Sequence, residues 1–219
     1  MWFDMQAPFE ALIGKHYFAP KPKELINLGL TRVKLAIREL DLLETGKKSI
    51  IIAGTNGKGF VAGSLWRLLS LSNINSGLFT SPHLFKFQER IQCSNKFIDD
   101  KCLTSAFTKI KDSLEEKFFC SLTYFDLATL LALIIFKQQK TEVNILEIGL
   151  GGRLDAVNAV DPIFSAISSI GIDHIDVLGS NISQIAREKL GVARSNKKIF
   201  CGYIKSTHRS DFFKVFNQA

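Results

Sequence analysis

Two kinds of apolar pattern alternate along the chain. Ile50-Ile51-Ile52, Gly77-Leu78-Phe79-Thr80, Val143 to Ile148, Ile163 to Ile170 and Ile199 to Ile204 are short, β-branched-rich runs that predict strands. The nearly continuous run Val143 to Ile148 predicts a strand buried on both faces. Apolar positions at helical spacing predict helices from Lys23 to Leu40, broken softly at Gly29 with Thr31 capping the second part, and from Val61 to Leu71. Further helices are predicted from an Asp99 cap to about Phe118, over Leu127 to Gln138 and over Ser183 to Val192. Phe87 to Cys93 reads as extended, with Lys96 to Ile98 as its hairpin partner. Pro8, Pro20 and Pro22 interrupt the first stretch, which keeps a short helix between them, and Ser206 to Ala219 is weakly helical. The alternation argues for an α/β fold with a mostly parallel sheet covered by helices.

In such sheets ligands bind beyond the carboxyl ends of the strands. The first strand runs into Gly54-Thr55-Asn56-Gly57-Lys58-Gly59, and a helix follows. A strand, a Gly-rich turn with one Lys and a helix form a phosphate cradle from backbone N–H groups, the helix N-terminus and an ammonium. The general phosphate-loop pattern is only partly met. Ile52 stands where it has its first Gly, and Gly59 where it has Ser or Thr. On pattern alone a nucleotide loop and an ordinary strand-to-helix turn both fit. Ser81, Glu147 and His174 join Lys58 at or just beyond strand ends, which favours the ligand reading.

Glu147 interrupts an apolar strand, where a carboxylate is costly unless paired or metal-bound. The plain alternative is a salt bridge to a buried Arg. A hydroxyl, a carboxylate and an imidazole from Ser81, Glu147 and His174 suit one or two divalent ions, with oxygen ligands favouring Mg²⁺ and the imidazole admitting Mn²⁺. His174 read alone is more often a solvated loop residue, and Ser81 read alone a turn Ser before Pro. Lys189 reads as a solvated charge on a helix, Tyr124 and Phe125 as core aromatics or a stacking surface, and Asp155 as a turn or capping residue or as the partner of a polar ring.

Composition adds little. The 219 residues, 46% apolar with 18 Phe and 5 Pro, support a folded domain with a sizeable core. The net charge of +7 suits an anionic ligand and equally a basic surface of solvated lysines. Cys93, Cys102, Cys120 and Cys201 form no C-x-x-C pair, so no zinc or redox motif is indicated. Scattered thiols, no signal-peptide layout, and a longest apolar run, Leu127 to Phe136, too short to span a bilayer lead to the expectation of a cytoplasmic protein.

Taken together, several motifs resemble the dihydrofolate synthase/folylpolyglutamate synthase family. They are the Gly54–Gly59 loop, Thr80-Ser81-Pro82-His83-Leu84 with Glu89-Arg90-Ile91, and Leu146-Glu147-Ile148-Gly149-Leu150-Gly151-Gly152-Arg153-Leu154-Asp155-Ala156. Ser169 to His174 and Arg187-Glu188-Lys189-Leu190-Gly191 agree, while Asn27-Leu28-Gly29-Leu30 and Leu122 to Asp126 look like the bifunctional bacterial form. The resemblance runs from about residue 23 to residue 203. It implies a P-loop-type three-layer α/β/α domain of the Mur ligase superfamily, one domain over residues 1–219, with the family's C-terminal ligase domain absent. The implied activity is ATP-dependent joining of L-glutamate to dihydropteroate or to folate polyglutamate through an acyl phosphate. Alternatives are a non-catalytic ATP- and folate-binding module or a decayed remnant.

Carried over by position, Thr55, Asn56, Gly57 and Lys58 would hold ATP, and Ser81, Glu147 and His174 would serve Mg²⁺. Lys58, Lys189 and His174 would be the catalytic groups, Lys189 as a carbamylated lysine. Asn27, Leu28, Gly29, Leu30, Thr123, Tyr124, Phe125, Asp126, Leu154, Asp155 and Ala156 would line the dihydropteroate pocket. The implied partners are these substrates and a separate C-terminal half for a monomeric enzyme, with no nucleic acid and no membrane. Two departures stand out. Phe60 occupies a position where the family has Ser or Thr, and the chain is about half the family's length.

Overall fold

The computed structural model describes residues 29–93 and 96–218. Seven strands form one sheet: β1 Ser49–Ala53, β2 Ser76–Phe79, β3 Ile91–Cys93, β4 Lys96–Phe97, β5 Val143–Glu147, β6 Phe164–Ile170 and β7 Ile199–Ile204. Their order is β4-β3-β2-β5-β1-β6-β7. The strands β2, β5, β1, β6 and β7 run parallel, and the hairpin β3–β4 adds an antiparallel edge. The α/β class and the mostly parallel sheet are therefore as expected.

The helices are α1 Thr31–Glu39, α2 Leu43–Lys47, α3 Lys58–Leu71, α4 Asp100–Ser113, α5 Glu116–Phe119, α6 Tyr124–Gln138, α7 Ile175–Leu178, α8 Ile182–Leu190 and α9 Ser206–Phe216. Alternation along β1 divides the core. Ile50 and Ile52 join Leu78 and Ile145 beneath Ala62 and Trp66 of α3. Ile51 and Ala53 face the other way, into the larger core shared with α1, α4, α6, α8 and α9. The result is three layers, and among the described residues α3 is the helix that packs on the face of Ile50 and Ile52. Residues 126–136 of α6 are all buried, as their largely apolar character requires, with Asp126 and Thr129 as the polar exceptions.

Several local readings need correction. Thr31 does not cap α1, whose N-cap is Leu30. Residues 87–90 form a 3₁₀ turn before β3 rather than an extended segment, because the Glu89 carboxylate accepts the N–H groups of Leu84, Phe85 and Lys86 and closes the chain on itself. The helix capped by Asp99 ends at Ser113, not near Phe118, and α5 follows separately. The tail is an ordered helix, α9, anchored by the fully buried Phe212. Residues 1–22, the first part of the helix expected from Lys23, and the expected pocket residues Asn27 and Leu28 lie outside the described residues. No helix among the described residues is long and apolar enough to cross a membrane.

Candidate active site at the strand ends

The phosphate loop leaves β1 and is held by the neighbouring strand β6. Thr55 N–H donates to Ser169 O at 2.9 Å, and Asn56 N–H to Ser169 Oγ at 2.9 Å. Ser168 Oγ donates to Asn56 O at 2.7 Å, and Thr55 Oγ1 to Gly171 O at 3.1 Å. Gly54 has φ +143°, and a Cβ there would lie 2.1 Å from Ser168 Oγ, so only Gly fits. Gly57 at φ +80° turns the chain into α3, whose first residue is Lys58. The loop thus has the open, glycine-shaped backbone of an anion cradle at a helix start.

Lys58 Nζ donates to the carbonyls of Gly54, at 3.1 Å, and Thr55, at 3.3 Å. Lys189 Nζ donates to the same Gly54 carbonyl at 2.9 Å and pairs with Asp173 Oδ2 at 3.1 Å. Two cations therefore meet on one carbonyl at the end of β1. Lys189 is 1% exposed, so the reading of a solvated charge is wrong. It completes the apolar stripe Ile182, Ile185, Ala186, Lys189 of α8. Burial pushes its ammonium pKa down, Asp173 works against that shift, and the nearby Lys58 charge adds to it.

Glu147 ends β5 beside the loop. A Cβ on Gly59 would stand 3.4 Å from its Oε2. Ser81 N–H, next to a cis Ser81–Pro82 peptide, donates to Oε2 at 3.1 Å. Glu147 is 4% exposed, and among the described residues no cation forms an ion pair with it. The salt bridge to a buried Arg is not made. Arg90 is close enough to be felt, but its Nε donates to His83 Nδ1 at 2.9 Å and its guanidinium lies over the rings of Phe87 and Tyr124. Burial pushes the Glu147 pKa up, with the Ser81 N–H and the Lys58 charge pulling the other way. A buried carboxylate without a cation, facing a phosphate loop, has the donor chemistry that a divalent ion requires.

His174 adopts a left-handed conformation, φ 42°, with its side chain 59% exposed and Nε2 3.3 Å from Asp173 Oδ1. Ser81 is thus joined to Glu147, and His174 to Asp173 and Lys189. No hydrogen bond or ion pair among the described residues links the two groups directly, and no cluster of three or more His, Cys, Asp or Glu assembles.

The expected pocket residues within the described part fall into several contacts, and of them Leu30 and Leu154 share a cavity of about 420 Å³. Arg32, in the first turn of α1, pairs with Asp126 at 3.0 Å, and Asp126 in turn accepts the Thr123 N–H. Phe125 lies against Gly149, where a Cβ would come within 2.6 Å of the ring. Asp155 is buried and accepts Leu150 N–H at 2.9 Å and Val157 N–H at 3.0 Å, capping the 3₁₀ turn Ala156–Ala159. Burial pushes its pKa up to about 7. The capping role weighed for Asp155 is therefore present. The clamp at Ser168, the pairing of Asp173 with Lys189 and the stacking of Arg90 had no counterpart in the sequence reading.

No family model matches the chain. Curated relatives do. The dihydrofolate synthase/folylpolyglutamate synthase of Haemophilus influenzae is 41% identical over 196 residues, 90% of this chain and 43% of that protein. The Escherichia coli protein of the same name is 40% identical over 177 residues, 81% of this chain and 41% of its own length. The chain is a homologue of the dihydrofolate synthase/folylpolyglutamate synthases. The fold agrees. E. coli FolC in complex with DHPP and ADP superposes with a TM-score of 0.86 at 35% identity, over 97% of this chain and 50% of that one. The Yersinia pestis bifunctional folylpolyglutamate synthase/dihydrofolate synthase with Mn, AMPPNP and L-glutamate bound gives 0.80 at 36% identity, over 96% of this chain and 50% of that one. The chain spans about half the length of the relatives it matches.

Proposed function

We propose that residues 1–219 are the ATP- and pterin-binding part of an ATP-dependent ligase that joins L-glutamate to dihydropteroate or folate polyglutamate through an acyl phosphate. The observation that carries this reading is Glu147, a buried carboxylate without a cation, set between the Gly59 backbone and the Ser81 N–H at the mouth of the phosphate loop. The names of the relatives and the ligands in their structures support it.

Thr55, Asn56, Gly57 and Lys58 would hold the ATP phosphates: Thr55 and Asn56, whose N–H groups Ser169 engages, would fix the shape of the loop, Gly57 would offer its backbone N–H, and Lys58 would exchange the Gly54 and Thr55 carbonyls for phosphate oxygens. Ser81, Glu147 and His174 would hold Mg²⁺, which supplies neutralisation of the charge on the transferring phosphoryl group. The substrate carboxylate gains the γ-phosphoryl group, ADP leaves, and the amine of L-glutamate displaces phosphate from the acyl carbon. In such transfers positioning and fixed charge do most of the work. Gly29, Leu30, Thr123 to Asp126 and Leu154 to Ala156, with Asn27 and Leu28, would hold the pterin. Burial of Lys189 favours its neutral amine, the form that adds CO₂ to give a carbamate and a proton. That product would bring negative charge beside Asp173 and His174 and serve a second ion. The second half of the relatives' length would complete the site.

Calorimetry of Mg-ATP with the 219-residue chain tests the reading. Saturable binding is expected, with Lys58→Ala abolishing it. Equal binding by both forms would overturn the assignment of the loop.

A further inference from the structure

Asn56 and Gly57 are exposed at the tip of the phosphate loop, yet both backbone groups of Asn56 are engaged from β6. Ser169 Oγ accepts the Asn56 N–H at 2.9 Å and donates to the Asn56 carbonyl at 3.0 Å. Ser168 Oγ donates to the same carbonyl at 2.7 Å, with the Ala53 carbonyl farther off at 3.2 Å. Two hydroxyls therefore fill both acceptor sites of one exposed carbonyl. Water would satisfy that carbonyl as well, so the exchange adds little stability. What the hydroxyls add is a fixed direction.

That direction decides where the next N–H points. A trans peptide sends its C=O and its N–H opposite ways. Ser81–Pro82 is the cis bond of the described residues, so Asn56–Gly57 is trans. With the Asn56 carbonyl held on β6, the Gly57 N–H points away from β6 into the open side of the loop. Among the described residues it donates to no acceptor. It stands at the start of α3, one residue before Lys58. Without the hydroxyls the peptide is free to turn, and a carbonyl oxygen then faces an incoming anion in place of an N–H.

We infer that Ser168 and Ser169 are positioning residues for the nucleotide: by holding the Asn56 carbonyl, they aim the Gly57 N–H at a phosphate oxygen. The inference rests on the ATP reading above. It assigns the readiness of the loop to two side chains of the neighbouring strand rather than to the loop alone.

The test is calorimetry of Mg-ATP on the 219-residue chain and on Ser168→Ala/Ser169→Ala, with the Gly57 amide followed by NMR. The double variant is expected to bind about 10-fold more weakly, the worth of one oriented hydrogen bond to a charged group. In wild type the Gly57 amide proton is expected to move downfield when Mg-ATP is added, and in the double variant that shift is expected to shrink. Ser169→Thr keeps a hydroxyl at a strand position that suits a β-branched residue, and is expected to bind as wild type does. If the double variant does not fold, the single alanine variants are read against the same outcomes. Wild-type affinity in the alanine variants would overturn the inference. So would an affinity loss that follows a lowered melting temperature while the Gly57 shift is kept, because the serines would then only hold the fold. If wild type binds and Lys58→Ala does not, the ATP reading stands whatever the serines do. If wild type itself binds no Mg-ATP, that reading fails and this inference fails with it.

Discussion

Glu147 and Asp155 are carboxylates at the same end of the molecule, one ending β5 and the other in the glycine loop that follows it. Both are buried, and burial pushes both pKa values up. Their surroundings differ. Asp155 accepts backbone N–H groups on both oxygens and ties Leu150 to Val157. Glu147 accepts one N–H, from Ser81, and has no ion-pair partner among the described residues. Burial by itself therefore does not separate a structural carboxylate from one kept for a ligand. The separation lies in how many of its acceptor sites the fold has already filled.

The sharpest way to break this comparison is to remove Asp155. Asp155→Ala leaves the Leu150 and Val157 N–H groups buried without acceptors, and the expected loss of stability is about 3 kcal/mol, at roughly 1–3 kcal/mol per orphaned group. Chemical denaturation measures it. A loss near zero would mean that the loop does not depend on this carboxylate. Asp155→Asn sharpens the same point through pH. A carboxyl whose pKa rises from 3.8 to about 7 on folding favours the native state fully below pH 4, and that contribution fades as pH rises through 7. Wild type is expected to lose stability relative to Asp155→Asn over that window. Parallel curves would place the Asp155 titration elsewhere.

The complementary change has the opposite sign for stability. Glu147→Gln removes a buried charge that has no ion-pair partner among the described residues and that Lys58 and Arg90 offset only from a distance, so a gain of about 1 kcal/mol is expected. Mg-ATP affinity is expected to fall about 10- to 100-fold. A variant that is destabilised and keeps its affinity would show that Glu147 belongs with Asp155 as a structural group.

Much of the frame was legible because it depends on local pattern. The β-branched runs became strands, and the apolar run of α6 became a helix buried all round. The Thr123–Asp126 capping box at its start is equally local, yet the sequence reading did not pick it out. What stayed hidden depends on which strands are neighbours. Ser168 and Ser169 clamp the phosphate loop only because β6 lies beside β1, with Ala53 opposite Ile167. Lys189 sits at a buried position of an amphipathic helix, but a lone Lys in such a stripe reads as a surface charge until Asp173 and the Gly54 carbonyl are placed around it. The extended reading of residues 87–90 failed because one side chain, Glu89, collects three backbone N–H groups, which periodicity does not encode.

The smallest expected effect falls on Phe60, where the family resemblance has a hydroxyl. The ring stands in the first turn of α3, two residues beyond Lys58, and is 80% exposed, so it fills no part of the core. Phe60→Ser is therefore expected to change stability by less than about 0.5 kcal/mol. Its influence on the ligand is a separate question that the same variant answers. If the ring crowds the nucleotide, the variant binds Mg-ATP more tightly than wild type while Lys58→Ala still abolishes binding. If calorimetry gives the same affinity for wild type and Phe60→Ser, the ring lies clear of the phosphates, and a hydroxyl at this position adds nothing to a cradle formed by the loop from Gly54 to Lys58.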